Sequence, residues 1–123
     1  MLLASGVDAT TNLFVAASYF RSMATAGAID LLGNYLHRHG PGAPALSNAA
    51  ESCYEGLHTL AAIASRAGCA QLGAWDAAVD GTAYEGPRGT VEFRGRQARQ
   101  PVHLAVADGV DFDVLTALPA VTP

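Results

Sequence analysis

The longest apolar stripe of the chain runs from Leu46 to Arg66 and predicts an amphipathic helix. Apolar residues recur there at steps of three and four, so they share one face of a helix with 3.6 residues per turn. Asn48 followed by Glu51 is typical of a capping box, and Gly68 is typical of a left-handed stop. We therefore predict a core helix whose apolar stripe faces inward and whose other face is polar. The stripe contains Leu46, Ala50, Cys53, Tyr54, Leu57, Leu60, Ala61 and Ala64, and the polar face contains Asn48, Glu51, Glu55, Thr59 and Arg66.

Two shorter amphipathic helices flank this segment. Thr25 is a suitable N-cap for a helix that extends to about His39, where Gly40 ends it. A further helix covers about residues 71–80. We expect both helices to bury their apolar side chains. These are Ala28, Ile29, Leu32, Tyr35 and Leu36 in the first helix, and Leu72, Trp75 and Val79 in the second.

A continuous apolar run from Leu13 to Ala17 predicts a strand that is buried on both faces. Ser18, Tyr19 and Phe20 follow it directly. The carboxyl end of such a strand often opens into a crevice where α/β proteins bind ligands. Tyr19 and Phe20 therefore have two interpretations, either as ligand contacts or as aromatic side chains that only pack in the core.

Alternating apolar and polar residues dominate the C-terminal part of the chain. Gly86 to Gly89 is typical of a turn, and Thr90 to Arg94 alternates as a half-buried strand does. Gly95 to Gln100 is polar and predicts a loop. The alternation resumes at Val102, and Asp108-Gly109 is a strong hairpin signal. The predicted order is therefore strand, loop and hairpin.

Together these elements indicate an α/β fold class, or α+β for the isolated piece. It has one buried strand, three helices and a C-terminal antiparallel strand and hairpin unit. The chain has 123 residues, half of them hydrophobic, which fits a single domain over residues 1–123. A chain of this size can bury roughly two-thirds of its unfolded surface.

The charge pattern argues against a nucleic-acid partner. The net charge is −4, and the seven basic residues are all arginines, so the dense cationic field of a nucleic-acid surface is missing. Cys53 and Cys69 have no zinc or redox spacing and are expected to be free thiols. No run reaches the roughly 18 apolar residues that span a bilayer, and the start does not have the pattern of a signal peptide.

Sequence motifs of catalysis are absent. There is no Gly-x-Ser-x-Gly, His-Glu-x-x-His or glycine-rich phosphate loop. His37 and His39 point about 200° apart on a helix, which favours a helix-terminus role over a metal site. His58 is expected to be a satisfied, partly buried side chain, and Asp111 and Asp113 to be solvated charges. We therefore expect no enzymatic activity, no catalytic residue, no metal ligand and no cofactor.

Three segments together resemble the C-terminal part of the type I periplasmic binding proteins. They are Leu13 to Thr25, Ala49 to Gly56 in the long helix, and Tyr84 to Phe93 with the hairpin that follows. The Gly-Pro-x-Gly pattern within the third segment is the most specific. The resemblance extends from about Leu3 to Leu118. It is nearest to amide and urea members, including the cytoplasmic amide sensor of aliphatic amidase operons.

The resemblance implies an incomplete type I periplasmic-binding-protein-like fold. Members are two-lobed receptors that hold a small solute between the lobes, and this chain resembles about the last third, which makes Met1 an internal residue of a longer protein. The resemblance also implies that Ser18, Tyr19, Phe20 and Tyr54 are ligand-binding positions. We expect Tyr19→Ala to weaken ligand binding with little change in melting temperature.

The resemblance leaves three functional hypotheses open. The first is non-catalytic recognition of an amide, urea or branched-chain amino acid in a periplasmic ABC-transporter substrate-binding protein, with a membrane permease as partner. The second is a cytoplasmic amide-responsive sensor of the same fold that acts on a regulatory protein partner. In the third, the chain has no ligand and forms a homo-oligomer through apolar faces that the missing lobe would otherwise cover.

Overall fold

The computed structural model describes residues 2–6 and 8–120, so the interpretation of Met1 as an internal residue lies outside the described part. The fold is mixed α/β, as predicted, with three main helices and two small antiparallel sheets. In chain order the elements are α1 (Leu2–Ser5), a single 3-10 turn (Asp8–Thr10), β1 (Phe14–Ala17), α2 (Ala26–His39), α3 (Asn48–Ala67), α4 (Leu72–Val79), β2 (Ala83–Gly86), β3 (Gly89–Arg94), β4 (Gln97–Arg99), β5 (Val102–Asp108) and β6 (Asp111–Leu118).

The first sheet has the strand order β1-β5-β6. Phe14 lies opposite Val106 and Ala17 opposite His103, so the N-terminal strand pairs antiparallel with the C-terminal hairpin. The strand predicted at residues 13–17 is thus confirmed, but the prediction that both of its faces are buried is wrong. Burial alternates along β1 and Phe14 is 57% exposed, because β1 lies at the edge of this sheet within the described chain.

The second sheet, β2-β3-β4, contains two strands that the sequence pattern missed. The turn at Gly86 to Gly89 is confirmed as the tight connection between β2 and β3, with these two glycines paired across it. Gly89 has a φ of 111°, which L side chains rarely adopt. The predicted loop at residues 95–100 instead contains the three residues of β4, which pair with β3.

The helix boundaries follow the capping chemistry closely. Thr25 Oγ1 accepts a hydrogen bond from the Ala28 amide at the start of α2, and α3 ends at Gly68 with a φ of 69°, both as predicted. The capping box at Asn48 is wrong, because Ser47 Oγ accepts from the Ala50 amide and caps α3. The Asn48 side chain accepts a hydrogen bond from Ser18 instead.

The largest correction concerns which face of α3 is buried. Glu51, Glu55, Thr59 and Ile63 are buried, whereas the apolar stripe is turned outward and Leu57 is 70% exposed. The predicted inward orientation of the stripe is therefore wrong for six of its eight members, since only Leu46 and Ala64 are partly buried. The inward carboxylates have a buried cationic partner from another element, which helical periodicity cannot reveal. Other side chains predicted to be buried are also exposed, namely Ile29, Leu36, Cys53, Tyr54, Leu60 and Leu72.

The hydrophobic core lies where the β1-β5-β6 sheet meets the segment that joins β1 to α2. Its fully buried members are Tyr19, Phe20, Met23, Ala28 and Ala105. Partly buried side chains from β1, β6 and the segment just before α3 pack around them. Within the described residues, no helix has both the length and the apolar character needed to cross a membrane.

Candidate functional site

The segment that leaves β1 both packs in the core and lines a cavity. Tyr19 is 2% exposed and Phe20 is 6% exposed, which fits the packing interpretation. Both also line a cavity of about 530 Å³, which we call the strand-exit cavity. This volume lies within the range of about 300–1,000 Å³ that is usual for small-molecule sites. Its lining residues are Val15, Ala17, Tyr19, Phe20, Arg21, Ala45, Leu46, Ser47, Asn48, Val110, Asp111 and Phe112.

The strand-exit cavity combines an aromatic wall with a small number of polar groups. The rings of Phe20 and Phe112 lie with their centroids 5.3 Å apart. Arg21 and Asp111 form a partly exposed ion pair at 3.0 Å, so neither charge is isolated. Asn48 begins α3, and the N-terminal end of a helix carries a partial positive charge. Apolar walls with few polar groups are typical of a site for a small organic molecule.

A second feature of the fold is a buried cluster of polar side chains centred on Arg88. Arg88 projects from the β2–β3 turn and is only 5% exposed. Its Nη2 lies 2.5 Å from Glu51 Oε2, and its Nε lies 2.8 Å from Glu55 Oε2. Two carboxyls one helical turn apart therefore contact one guanidinium. We call this group, with its further contacts Ser18, Ser52 and Gln100, the arginine cluster.

The arginine cluster connects the hairpin to β1 as well as to α3. Arg88 Nη1 donates to Ser18 Oγ at 2.8 Å, and Ser18 Oγ donates to Asn48 Oδ1 at 2.9 Å. A continuous path of hydrogen bonds thus runs from Arg88 to a residue that lines the strand-exit cavity. On the other side of the turn, the His103 ring lies 3.2 Å from the Arg88 carbonyl oxygen.

Burial raises the pKa values of two side chains, Glu51 in the arginine cluster and Tyr19 in the core. Burial, followed by the neighbouring Glu55, raises the pKa of Glu51 to about 8, while Arg88 opposes this rise. Burial also raises the pKa of the Tyr19 phenol, with Glu51 as the second cause. Among the described residues, Tyr19 Oη and Glu51 Oε1 are buried without a hydrogen-bond partner.

The structure brings together three of the four residues that the resemblance implied. Tyr19 and Phe20 line the strand-exit cavity, and Ser18 contacts its wall through Asn48. Tyr54 lies elsewhere on α3 and is not among the residues that line this cavity. Its ring is 4.5 Å from that of His58, which stacks in turn on Tyr84. His58 itself is exposed rather than partly buried as expected.

Sequence reasoning missed Arg88, Glu51 and Glu55 as a functional group. In the sequence, Arg88 occupies the variable position of the Gly-Pro-x-Gly pattern, and the two acids fall on the predicted polar face of the helix. The available signal was their spacing, because Glu51, Glu55 and Thr59 recur every fourth residue and form a continuous stripe on the helix. That spacing fits a buried polar stripe as well as a solvated one.

The remaining charged candidates have structural roles. His37, Arg38 and His39 occupy the last turn of α2, where positive charge is favourable. Arg96 pairs with Asp76, and Arg94 pairs with Glu92. In residues 2–6 and 8–120, no group of three His, Cys, Asp or Glu side chains is arranged to hold a metal ion.

A sequence model of the family described as periplasmic binding protein matches residues 1–111. No curated protein matches the chain. Solved structures of ABC-transporter solute-binding proteins share its fold. The one from Rhodopseudomonas palustris BisB5, in complex with 3,4-dihydroxybenzoic acid, is 21% identical with a TM-score of 0.79 and covers 94% of this chain. One from R. palustris in complex with benzoate is 18% identical, with a TM-score of 0.79 and 98% coverage.

A leucine-binding protein from Thermotoga maritima is similar as well, at 14% identity, a TM-score of 0.74 and 95% coverage of this chain. The chain spans only about a third of the length of these proteins, with 33%, 34% and 33% of their chains covered in the order given. They therefore correspond to this chain over one part of their fold.

Proposed function

The chain belongs to the periplasmic binding protein family, in the type I group that includes leucine-binding proteins, and on that premise we propose that it recognises a small organic solute without converting it. We propose that it does so as one part of a periplasmic ABC-transporter substrate-binding protein that delivers its solute to a membrane permease. The observation that carries the proposal is the strand-exit cavity beside Ser18, Tyr19 and Phe20.

The composition of the cavity wall supports a solute with an apolar body and a polar end. Phe20, Phe112 and Leu46 supply apolar surface, whereas Arg21 and Asn48 supply hydrogen-bond donors. Aromatic acids and branched-chain amino acids have this combination. Urea and small aliphatic amides lack the apolar body, so they match the aromatic wall less well. They are included in the binding test for comparison.

Calorimetric titration of the 123-residue chain tests this proposal. The panel is benzoate, 4-hydroxybenzoate, leucine, acetamide and urea, with the masses of the solutes measured before and after incubation. We expect at least one member to bind with a dissociation constant below about 1 mM, the weak end of specific recognition, and to be recovered unchanged. Turnover of a solute, or the absence of binding across the panel, would reject the proposal.

A further inference from the structure

We propose that Asn48 determines the solute class of the strand-exit cavity, by selecting a carboxylate over the corresponding amide, and that Arg88 positions Asn48 through Ser18. This inference rests on the proposed function, because it assigns the polar end of the solute that the cavity would hold. It follows from the direction of the hydrogen bonds in the path from Arg88 to Asn48.

The first step is the donor character of Arg88. A guanidinium has five N–H donors and no acceptor, so Ser18 Oγ must accept the 2.8 Å hydrogen bond from Arg88 Nη1. Arg88 cannot rotate to release Ser18, since Glu51 and Glu55 hold its other nitrogens. The single hydroxyl hydrogen of Ser18 remains available and is donated to Asn48 Oδ1 at 2.9 Å.

The second step is the orientation of the Asn48 amide. Its oxygen is engaged by Ser18, which does not line the strand-exit cavity, whereas Asn48 does. Its NH2 group makes no other hydrogen bond within the described part of the chain. Two N–H donors are thus the polar atoms that Asn48 offers to a solute.

The third step is the match to a carboxylate. Hydrogen bonds to a charged acceptor are roughly twice as strong as neutral ones. Arg21 and the positive end of α3 also border the cavity and add favourable charge, and Asp111, which lines it too, is already paired with Arg21. The amide form of the solute presents donors as well as an acceptor. Its NH2 group would face the donors of Asn48 and Arg21 and could not form hydrogen bonds with them.

Matched pairs of solutes test the inference, because benzoate and benzamide, or leucine and leucinamide, differ at the carboxyl group. We define the selectivity ratio as the dissociation constant of the amide divided by that of the carboxylate, measured by calorimetry. The intact chain is expected to give a ratio of roughly ten or more, the effect of one charge-assisted hydrogen bond. If no solute of the two pairs or of the earlier panel binds, the proposed function fails; if both members of a pair bind with a ratio near one, only the present inference fails.

Three substitutions separate the positioning effect from a general loss of stability. Asn48→Asp replaces the donors with acceptors and is expected to bring the ratio below one. Ser18→Ala removes the link that fixes the amide and is expected to lower the ratio to about one to three. Ser52→Ala is the matched control, because it also deletes one hydrogen bond of Arg88 but leaves the path from Arg88 through Ser18 to Asn48 intact.

Melting temperatures of the variants serve as the second readout. Ser18→Ala and Ser52→Ala remove comparable bonds, so their melting temperatures should be similar while their ratios differ. An unchanged ratio in Ser18→Ala, or an equal fall in Ser52→Ala, would overturn the assignment of Arg88 as a positioning residue. An unchanged ratio in Asn48→Asp would overturn the role of Asn48.

Discussion

Arg88 Nη2 lies 2.5 Å from Glu51 Oε2, although the two residues are 37 positions apart and come from a turn and a helix. Both side chains are almost completely enclosed, and Glu55 contacts the same guanidinium. This contact attaches the β2–β3 hairpin to α3, and the hydrogen bond from Arg88 to Ser18 attaches it to the end of β1. It also explains why α3 turns acidic side chains inward and apolar side chains outward.

Removal of the Arg88 side chain should be strongly destabilising. In Arg88→Met, Glu51 and Glu55 lose their buried cationic partner, and breaking a buried pair in this way costs about 3–5 kcal/mol. Urea unfolding measures the loss. The control is Arg96→Met, which breaks an exposed ion pair with Asp76 and should cost less than about 1 kcal/mol. Equal losses in the two variants would contradict a structural role for the buried arginine.

The stability of the chain should carry a pH dependence that originates at Glu51. Between pH 4.5 and about 8 the folded chain holds a proton on Glu51 that the unfolded chain has released. The folded state therefore binds more protons, and this contribution to the free energy of unfolding is complete below pH 4.5 and lost as the pH rises to about 8.

Glu51→Gln isolates this effect, because glutamine is close in shape to the protonated carboxyl and does not titrate. Urea unfolding at several pH values should show a shallower decline of stability with pH in Glu51→Gln than in the parent chain. Glu92→Gln, at a partly exposed residue of β3, is the control and should keep the parent slope. Parallel curves for parent and Glu51→Gln would show that Glu51 keeps an ordinary pKa.

The stability of the fold should respond differently to removal of the Tyr19 hydroxyl and to removal of the Tyr19 ring. The hydroxyl is buried without a partner among the described residues, so Tyr19→Phe should leave stability unchanged or raise it by about 1 kcal/mol. Tyr19→Ala should cost about 3–5 kcal/mol, since the ring belongs to the core. This replaces the sequence-based expectation of an unchanged melting temperature. Thermal unfolding of both variants measures these changes in stability. A marked loss of stability in Tyr19→Phe would mean that the hydroxyl has a hydrogen-bond partner.

The outward apolar face of α3 should drive self-association of the 123-residue chain. The chain exposes 7786 Å², roughly 1,600 Å² more than a compact monomer of 12.6 kDa. An excess of that size lies within the range of about 1,000–2,500 Å² that each partner of an obligate dimer buries. Light scattering after size exclusion should therefore detect a dimer or larger species.

Leu57→Glu places a charge in the centre of this face and should shift the chain toward monomer. Arg38→Glu, on the exposed last turn of α2, is the matched control and should leave the association unchanged. A monodisperse monomer for the parent chain would contradict the prediction.

The sequence was most informative where structure is decided by neighbouring residues. Thr25, Gly68 and the Gly86 to Gly89 turn are local signals, and each marks an element boundary in the structure. The face of α3 could not be predicted in this way, because its inward carboxyls depend on Arg88, which is distant in sequence. The short strands β2 and β4 were missed since three or four residues carry too little alternation to identify a strand.

The same distinction between local and long-range signals applies to the residues of the candidate site. Ser18, Tyr19 and Phe20 could be identified because they follow an apolar run, and a strand exit is a general location for ligands. Asn48 could not be identified, because its sequence context predicts a helix cap and its contact with Ser18 depends on a hydrogen-bond path through two other elements. Tyr54 was selected by resemblance alone, and its exposed ring lies apart from the lining of the cavity.

The most direct test of the central claim is a calorimetric titration of a variant that fills the strand-exit cavity. Ala45 lines the cavity and is exposed, so Ala45→Trp occupies its volume without disturbing a helix, and Ala70→Trp provides an equally bulky control outside it. The account predicts that Ala45→Trp weakens binding of the solute by roughly tenfold or more, while Ala70→Trp matches the parent chain. Equal affinities for the parent and both variants would contradict it.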